Sequence, residues 1–208
     1  MSFTETIFIT GFPGFIAGRL VEKLSSRNTH FFLLVQEAFF KKALEQVQEI
    51  VKKSETPSKN FTIIQGDITK ENLGMSDTDL EVVLRETTDI YHLAAVYDLA
   101  VEKDLAYRVN VEGTKNVNDI VRKVKSLQRY NYISTCYVAG KRDDRIYENE
   151  LEHDKGFRNY YEETKHFAEI EVEKLKGDYP VTIYRPSVVC GDSVTGETAK
   201  YDGIFYVM

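Results

Sequence analysis

The chain has 208 residues, of which 42% are hydrophobic, 29% charged and 12% aromatic: enough apolar material for one globular core, and too little length for two ordinary domains. Lys and Arg number 27 against 33 Asp and Glu, and the resulting net charge of −6 repels nucleic acid and anionic membrane surfaces. Cys136 and Cys190 form neither a disulfide framework nor a zinc spacing, so no metal is expected, and apolar runs such as Phe31 to Val35 fall far short of the roughly 18 residues of a membrane helix. Without a basic segment leading into a long apolar run at the N-terminus, a cytoplasmic location is the default.

Six short runs rich in β-branched and aromatic residues read as buried strands: Ile7 to Thr10, Phe31 to Val35, Phe61 to Gln65, Ile90 to Leu93, Tyr130 to Ser134 and Val181 to Tyr184. Helical patterns lie between them. Ile16, Leu20 and Leu24 recur every four residues, Leu80, Val83 and Leu84 share a face, and Phe167, Ile170 and Leu175 follow the last loop. Strands apolar on both faces, alternating with helices, predict an α/β fold: a doubly wound parallel sheet of the Rossmann type with helices on both sides. Lys141 to Arg158, dense in charge and bounded by Gly140 and Gly156, reads as an exposed loop beside the ligand edge of the sheet, or equally as a solvated linker.

The first strand runs directly into Gly11-Phe12-Pro13-Gly14 and then a helix. Glycines at a strand-to-helix turn let ligand phosphates meet bare helix amides, with Gly11 permitting the turn and Gly14 the close approach of backbone. The second strand ends at Gln36, where a ribose-reading side chain belongs, and the two features together point to a dinucleotide. Here Thr10-Gly11-x-x-Gly14-Phe15-x-Ala17 resembles the TGxxGFxG fingerprint of the extended short-chain dehydrogenase/reductases, with alanine at the third glycine. That position serves close helix packing, which alanine also allows. Gly66-Asp67-Ile68, His92-Leu93-Ala94-Ala95 and Asn110-Val111-Glu112-Gly113-Thr114 agree with the same superfamily. The resemblance implies that Thr10, Gly11, Phe12, Gly14, Phe15 and Ile16 cradle the cofactor. It further implies that Asp67 and Ile68 flank the adenine, that Leu93, Ala94 and Ala95 line the channel, and that Asn110 contributes to it. His92 reads as a packed core residue without chemistry.

Tyr161 and Lys165, four residues apart, share one helix face. A free tyrosine titrates near pKa 10, so a proton-transferring one gains from an ammonium that stabilises its phenolate, and Lys165 is placed for that task. A hydroxyl must also polarise the substrate oxygen, and the fifth strand ends at Ser134-Thr135-Cys136-Tyr137-Val138-Ala139-Gly140. Thr135 is the candidate and Ser134 the second choice, because in the superfamily the catalytic Ser or Thr lies five residues before the closing glycine, here Gly140. Cys136 has no neighbouring His to activate it and reads as packing.

Phe157-x-Asn159-x-Tyr161-Glu162-x-Thr164-Lys165 and the run from Tyr184-Arg185-Pro186-Ser187-Val188-Val189 through Gly191-Asp192 to Thr195-Gly196-Glu197 look like the male-sterility, or thioester-reductase, branch. This likeness implies reduction of an acyl thioester by hydride transfer, with Thr135 and Tyr161 on the developing oxyanion, Tyr161 as proton donor, and Lys165 on Tyr161 and the ribose. It also places Pro186 and Val188 at the cofactor and allows an acyl carrier as partner. Gln36 is neither the acid that favours NADH nor the arginine that favours NADPH, and the branch resemblance tips the expectation to NADPH, with NADH second. Sugar-nucleotide epimerases and dehydratases and dihydroflavonol-type ketoreductases share the catalytic residues. A dinucleotide-binding sensor or scaffold without chemistry is the alternative from another class. Members of the branch carry a further C-terminal substrate-binding subdomain, whereas this chain ends Ile204-Phe205-Tyr206-Val207-Met208. That apolar ending reads as the interior of an element cut by truncation, so the expectation is one NAD(P)-binding domain over 1–208, with little activity alone and a tendency to form homo-oligomers.

Overall fold

A computed structural model describes residues 3–198, and the apolar ending singled out above lies outside the described residues. The strands are β1 (Glu5–Thr10), β2 (Thr29–Val35), β3 (Phe61–Gln65), β4 (Asp89–His92), β5 (Arg129–Ile133) and β6 (Val181–Tyr184). Among the described residues they form a single six-stranded sheet in the order β3-β2-β1-β4-β5-β6, every pair parallel. The expected doubly wound Rossmann sheet is therefore what the chain builds. The chain winds outward from β1 to β3, returns across β1, and winds the other way from β4 to β6. This reversal opens a crevice at the C-terminal ends of β1 and β4, where ligands of such sheets bind.

The helices are α1 (Phe15–Leu24), α2 (Phe40–Ser54), α3 (Asp77–Glu86), α4 (Lys103–Ala106), α5 (Gly113–Lys123) and α6 (Tyr160–Glu173), with a π turn over Tyr107–Glu112 leading into α5. Alternate strand residues point to opposite faces and make two cores. Ile7, Ile9, Phe31 and Leu33 meet α1 and α2 through Ala17, Val21, Ala43, Val47 and Ile50. Phe8, Phe32, Ile90 and Tyr132 meet α3, α5 and α6 through Val83, Val117, Ile120, Ala168 and Val172.

Several expectations shift. Four strands start one or two residues earlier than their apolar runs, at Glu5, Thr29, Asp89 and Arg129, because ladder hydrogen bonds continue into polar residues. Helix α2 has no counterpart among the expected elements, since Ala43, Val47 and Ile50 form only a narrow stripe among lysines, glutamates and glutamines. In α1 the buried line is Ala17, Gly18 and Val21, while Ile16, Leu20 and Leu24 are half-buried, so the helix lies on the sheet through its smaller residues. In α6 Phe167 is exposed and Ile170 half-buried, and the inward line is Lys165, Ala168, Glu169 and Val172. That helix is turned so that its polar residues meet the polar end of β5. Among the described residues no helix is long and apolar enough to cross a membrane, and no cluster of metal-ligating side chains occurs.

Candidate active site

At the end of β1 the backbone turns through Gly11 at φ +89°, a left-handed conformation that favours glycine. A Cβ on Gly11 would lie 2.8 Å from the Ala94 amide nitrogen, and one on Gly14 would lie 2.6 Å from the Gly11 carbonyl oxygen. Gly14 is exposed and caps α1 without a side chain, so the first helix amides are left to a ligand. Phe12 is buried beneath the turn, with Phe15 and Ile16 half-buried behind it. Further along the same sheet edge, a cleft of about 510 Å³ is lined by Gln36, Glu37, Asp67 and Lys70. Burial opposes ionisation of Asp67, but the Thr69 amide and hydroxyl, the Gln36 side chain and Lys70 hold its carboxyl below the usual range. Bare amides at a turn that only glycine fits, followed by a polar cleft, suit a pyrophosphate and its adenosine.

The turn is tied to β4 by hydroxyl chemistry. Thr10 Oγ1 lies 2.7 Å from His92 Nδ1 and accepts the Leu93 and Ala94 amides at 3.2 Å each. His92 Nε2 lies 3.0 Å from Thr114 Oγ1, whose own proton goes to the Asn110 carbonyl at 2.7 Å. Burial, with a smaller effect of Lys165, depresses His92 to about 3, so it stays neutral, in keeping with the core role expected of it. Leu93, Ala94 and Ala95 leave β4 half-buried along the crevice.

On the other side of the crevice, Thr135 opens a short 3-10 turn (Cys136–Ala139) after β5, its Oγ1 accepting the Tyr137 amide at 3.2 Å. Asn159 caps α6 through the Glu162 amide, which sets Tyr161 in the first turn and Lys165 one turn on. Burial raises the Tyr161 phenol, and the neighbouring Thr135 hydroxyl opposes the rise. Thr135, rather than Ser134, thus faces Tyr161. Ser134 instead donates to the buried Glu169 carboxylate. Glu169 Oε1 also accepts Arg185 Nε at 2.8 Å and Nη2 at 2.6 Å, and Arg185 Nη1 donates to the Glu150 carbonyl at 2.9 Å. The charged loop after Gly140 is held to the site by this arginine, and a second cleft of about 220 Å³ lies between them.

Lys165 is turned further inward than its expected role on Tyr161 requires. Its ammonium donates to the Tyr132 hydroxyl and the Ile133 carbonyl, both at 2.9 Å, because two oxygens and the nearby Glu169 attract it beneath the sheet edge. Burial lowers its pKa to about 7, against the pull of Glu169. Two residues expected at the cofactor are committed elsewhere. Asn110 is buried, with its amide bonded to the Val96 backbone and to Thr164 Oγ1, which makes it a clamp on the loop after β4. The Ile68 side chain packs in the core against Gly113, leaving only its backbone near the cleft. Pro186 is half-buried and Val188 exposed, in the segment after β6.

Tyr132, Glu169 and Arg185 are functional neighbours that the sequence motifs do not single out. Glu169 carries a legible signal, for Tyr161, Lys165 and Glu169 recur at four-residue intervals on one helix face. Tyr132 shares its strand face with Tyr130 and Ser134, which marks it only as a core residue.

A doubly wound sheet with a glycine turn after β1, and Thr135, Tyr161 and Lys165 beside its crevice, places the chain in the extended short-chain dehydrogenase/reductase class. Within that class the chain belongs to the NAD-binding family described as male sterility protein, which it matches over residues 9–208. It is similar to a fatty acyl-CoA reductase of Drosophila melanogaster, 25% identical, with the match covering 88% of this chain and 42% of that protein. The alcohol-forming fatty acyl-CoA reductase of Simmondsia chinensis is 26% identical over 64% of this chain and 37% of its own length. The chain therefore spans less than half the length of these relatives. Among solved structures, the terminal R domain of the myxalamid PKS-NRPS biosynthetic pathway superposes with a TM-score of 0.78 and 26% identity, over 91% of this chain and 50% of that one. A UDP-glucuronic acid 4-epimerase from Bacillus cereus, at TM-score 0.68 and 22% identity over 89% of this chain and 57% of its own, shares the fold.

Proposed function

We propose that this protein reduces an acyl thioester with NADPH. The observation that carries the proposal is the placement of the Thr135 hydroxyl where it favours the Tyr161 phenolate at the crevice, with Lys165 one helical turn beyond. When bound, the reduced nicotinamide supplies a hydride for the thioester carbonyl carbon. Two neighbouring hydroxyls can both turn to one carbonyl oxygen as charge develops there. Tyr161 then gives that oxygen its proton, and the Lys165 ammonium lowers the cost of the phenolate left behind. The turn at Gly11 and Gly14 holds the pyrophosphate on the first amides of α1.

The preference for NADPH rests on the branch the chain resembles, with neutral Gln36 at the end of β2 and Lys70 in a cleft that Glu37 and Asp67 also line. The acyl-thioester class rests on the family and on the acyl-CoA and carrier-linked reductases it resembles.

Fluorescence titration with NADPH and NADH, followed by nicotinamide absorbance with an acyl-CoA panel and a nucleotide-sugar panel, tests the proposal. Tighter NADPH binding and oxidation of it by acyl-CoAs are expected. Turnover of nucleotide sugars alone would assign the chain to epimerase or dehydratase chemistry, and binding without turnover to a sensor.

A further inference from the structure

We propose that Tyr132 is a positioning residue of this reaction: its hydroxyl oxygen holds the Lys165 ammonium beneath the sheet edge, beside the buried chain of Thr114, His92 and Thr10. The inference rests on the reading of Lys165 as part of the reductase site.

The donors and acceptors permit one arrangement of protons. An ammonium only donates, so the Tyr132 oxygen accepts from Lys165 at 2.9 Å and must send its own proton elsewhere. The Tyr132 ring packs against the His92 ring, with centroids 5.5 Å apart. Thr114 spends its proton on the Asn110 carbonyl at 2.7 Å, so its oxygen accepts from His92 Nε2 at 3.0 Å. With its proton on Nε2, His92 leaves Nδ1 bare to accept the Thr10 hydroxyl at 2.7 Å. The Thr10 oxygen in turn accepts the Leu93 and Ala94 amides that close the turn onto β4. From His92 to Thr10 each donor meets an acceptor. Thr10, His92, Thr114, Tyr132 and Lys165 are all less than 5% exposed.

The arrangement has a direction. The Tyr132 hydroxyl and the Ile133 carbonyl present the negative ends of their dipoles toward Lys165, which favours the charged lysine. The Lys165 Nζ also lies 4.4 Å from the Tyr132 ring centroid, a second feature that favours a cation. The other charged or titratable groups facing Lys165 are neutral His92 from β4 and Glu169 from α6, with Glu169 shared by Ser134 and Arg185. Burial works against the ammonium and brings its pKa down to about 7, so loss of one oxygen partner changes its charge in the neutral range.

Tyr132→Phe removes the hydroxyl and leaves the ring in the core. Tyr130→Phe is the matched control, since the Tyr130 hydroxyl is equally buried in the same strand but donates to Asn118 at 3.0 Å. A hydrogen bond to a charged group is worth enough to move a pKa by about one unit. Tyr132→Phe should therefore shift the alkaline limb of kcat/KM about one pH unit downward. It should cost about tenfold in rate above the limb and much less below it. The affinity for the nicotinamide cofactor should follow the same pH shift. Tyr130→Phe should lower the urea midpoint and leave the limb in place. A second measurement guards against misfolding: below the limb, Tyr132→Phe should bind the nicotinamide cofactor as tightly as the unaltered protein. An unshifted limb in Tyr132→Phe overturns the proposal, as does an equal shift in Tyr130→Phe. Cofactor binding without acyl-thioester turnover in the unaltered protein would refute the substrate reading instead, and the pH dependence of cofactor affinity would still decide the role of Tyr132.

Discussion

Replacing Lys165 by Met should make the protein inactive and, at neutral pH, more stable. In the folded chain the lysine titrates near 7, against 10.5 as its ordinary value, so the unfolded chain binds more protons between those limits. Each tenfold loss of proton affinity is worth about 1.4 kcal/mol, and folding at pH 7 then carries a penalty of about 4 kcal/mol for this one group. Met removes that penalty and keeps an unbranched apolar stem in the core. Against it stands the Ile133 carbonyl, which loses its Lys165 donor, at a cost of about 1–3 kcal/mol. A net gain of about 1–3 kcal/mol remains. The sign with pH is fixed: the penalty is complete below about pH 7, shrinks as pH rises, and is gone above 10.5. By pH 9 it has fallen to about 2 kcal/mol, so the advantage of the Met variant should narrow by about 2 kcal/mol between pH 7 and 9. Urea denaturation of both proteins at pH 7, 8 and 9 measures this, and other titrating groups largely cancel in the difference. Two stability curves that run parallel across the range would refute a buried, proton-shedding Lys165.

Tyr161→Phe should retain cofactor affinity and lower kcat by about 10²–10⁴-fold, whereas Tyr160→Phe, altering an exposed ring, should leave kcat unchanged in steady-state assays. Gly11→Ala forces a side chain into φ +89° with its Cβ 2.8 Å from the Ala94 nitrogen, and calorimetric titration should show cofactor binding reduced at least tenfold. Glu169→Ala strips Arg185 and Ser134 of a fully buried carboxylate and should cost about 3–5 kcal/mol in urea unfolding, with Glu169→Gln intermediate.

The sheet is legible in the sequence because its strands are short apolar runs with glycine and polar borders, and their alternation with helices leaves few topologies open. The glycine turn is legible for a similar reason: Gly11 and Gly14 sit where backbone geometry admits little else. The register of α6 is not. Its inward face carries Lys165 and Glu169, so apolar periodicity selects Phe167 and Ile170, of which the first is exposed and the second only half-buried. The buried polar network is hidden for the same physical reason. Thr10, His92 and Thr114 come from three elements, and only the folded sheet shows that their donors and acceptors match. Asn110 and Ile68 carry the motif of a cofactor site, but a motif does not reveal which way a side chain points.

The reversal of winding at β1 divides labour between two halves of one sheet. The residues proposed to fit the nucleotide, Gly11, Gln36 and Asp67, follow β1, β2 and β3, while the proposed catalytic Thr135, Tyr161 and Lys165 follow β5 or lie on α6. Substitutions in one half share few partners with those in the other, so their free-energy effects should add when combined. A change of coenzyme preference and a change of substrate can thus arise in either order without each undoing the other. Contacts that bridge the halves, such as Thr10–His92 and Arg19–Glu197, are where departures from additivity should concentrate.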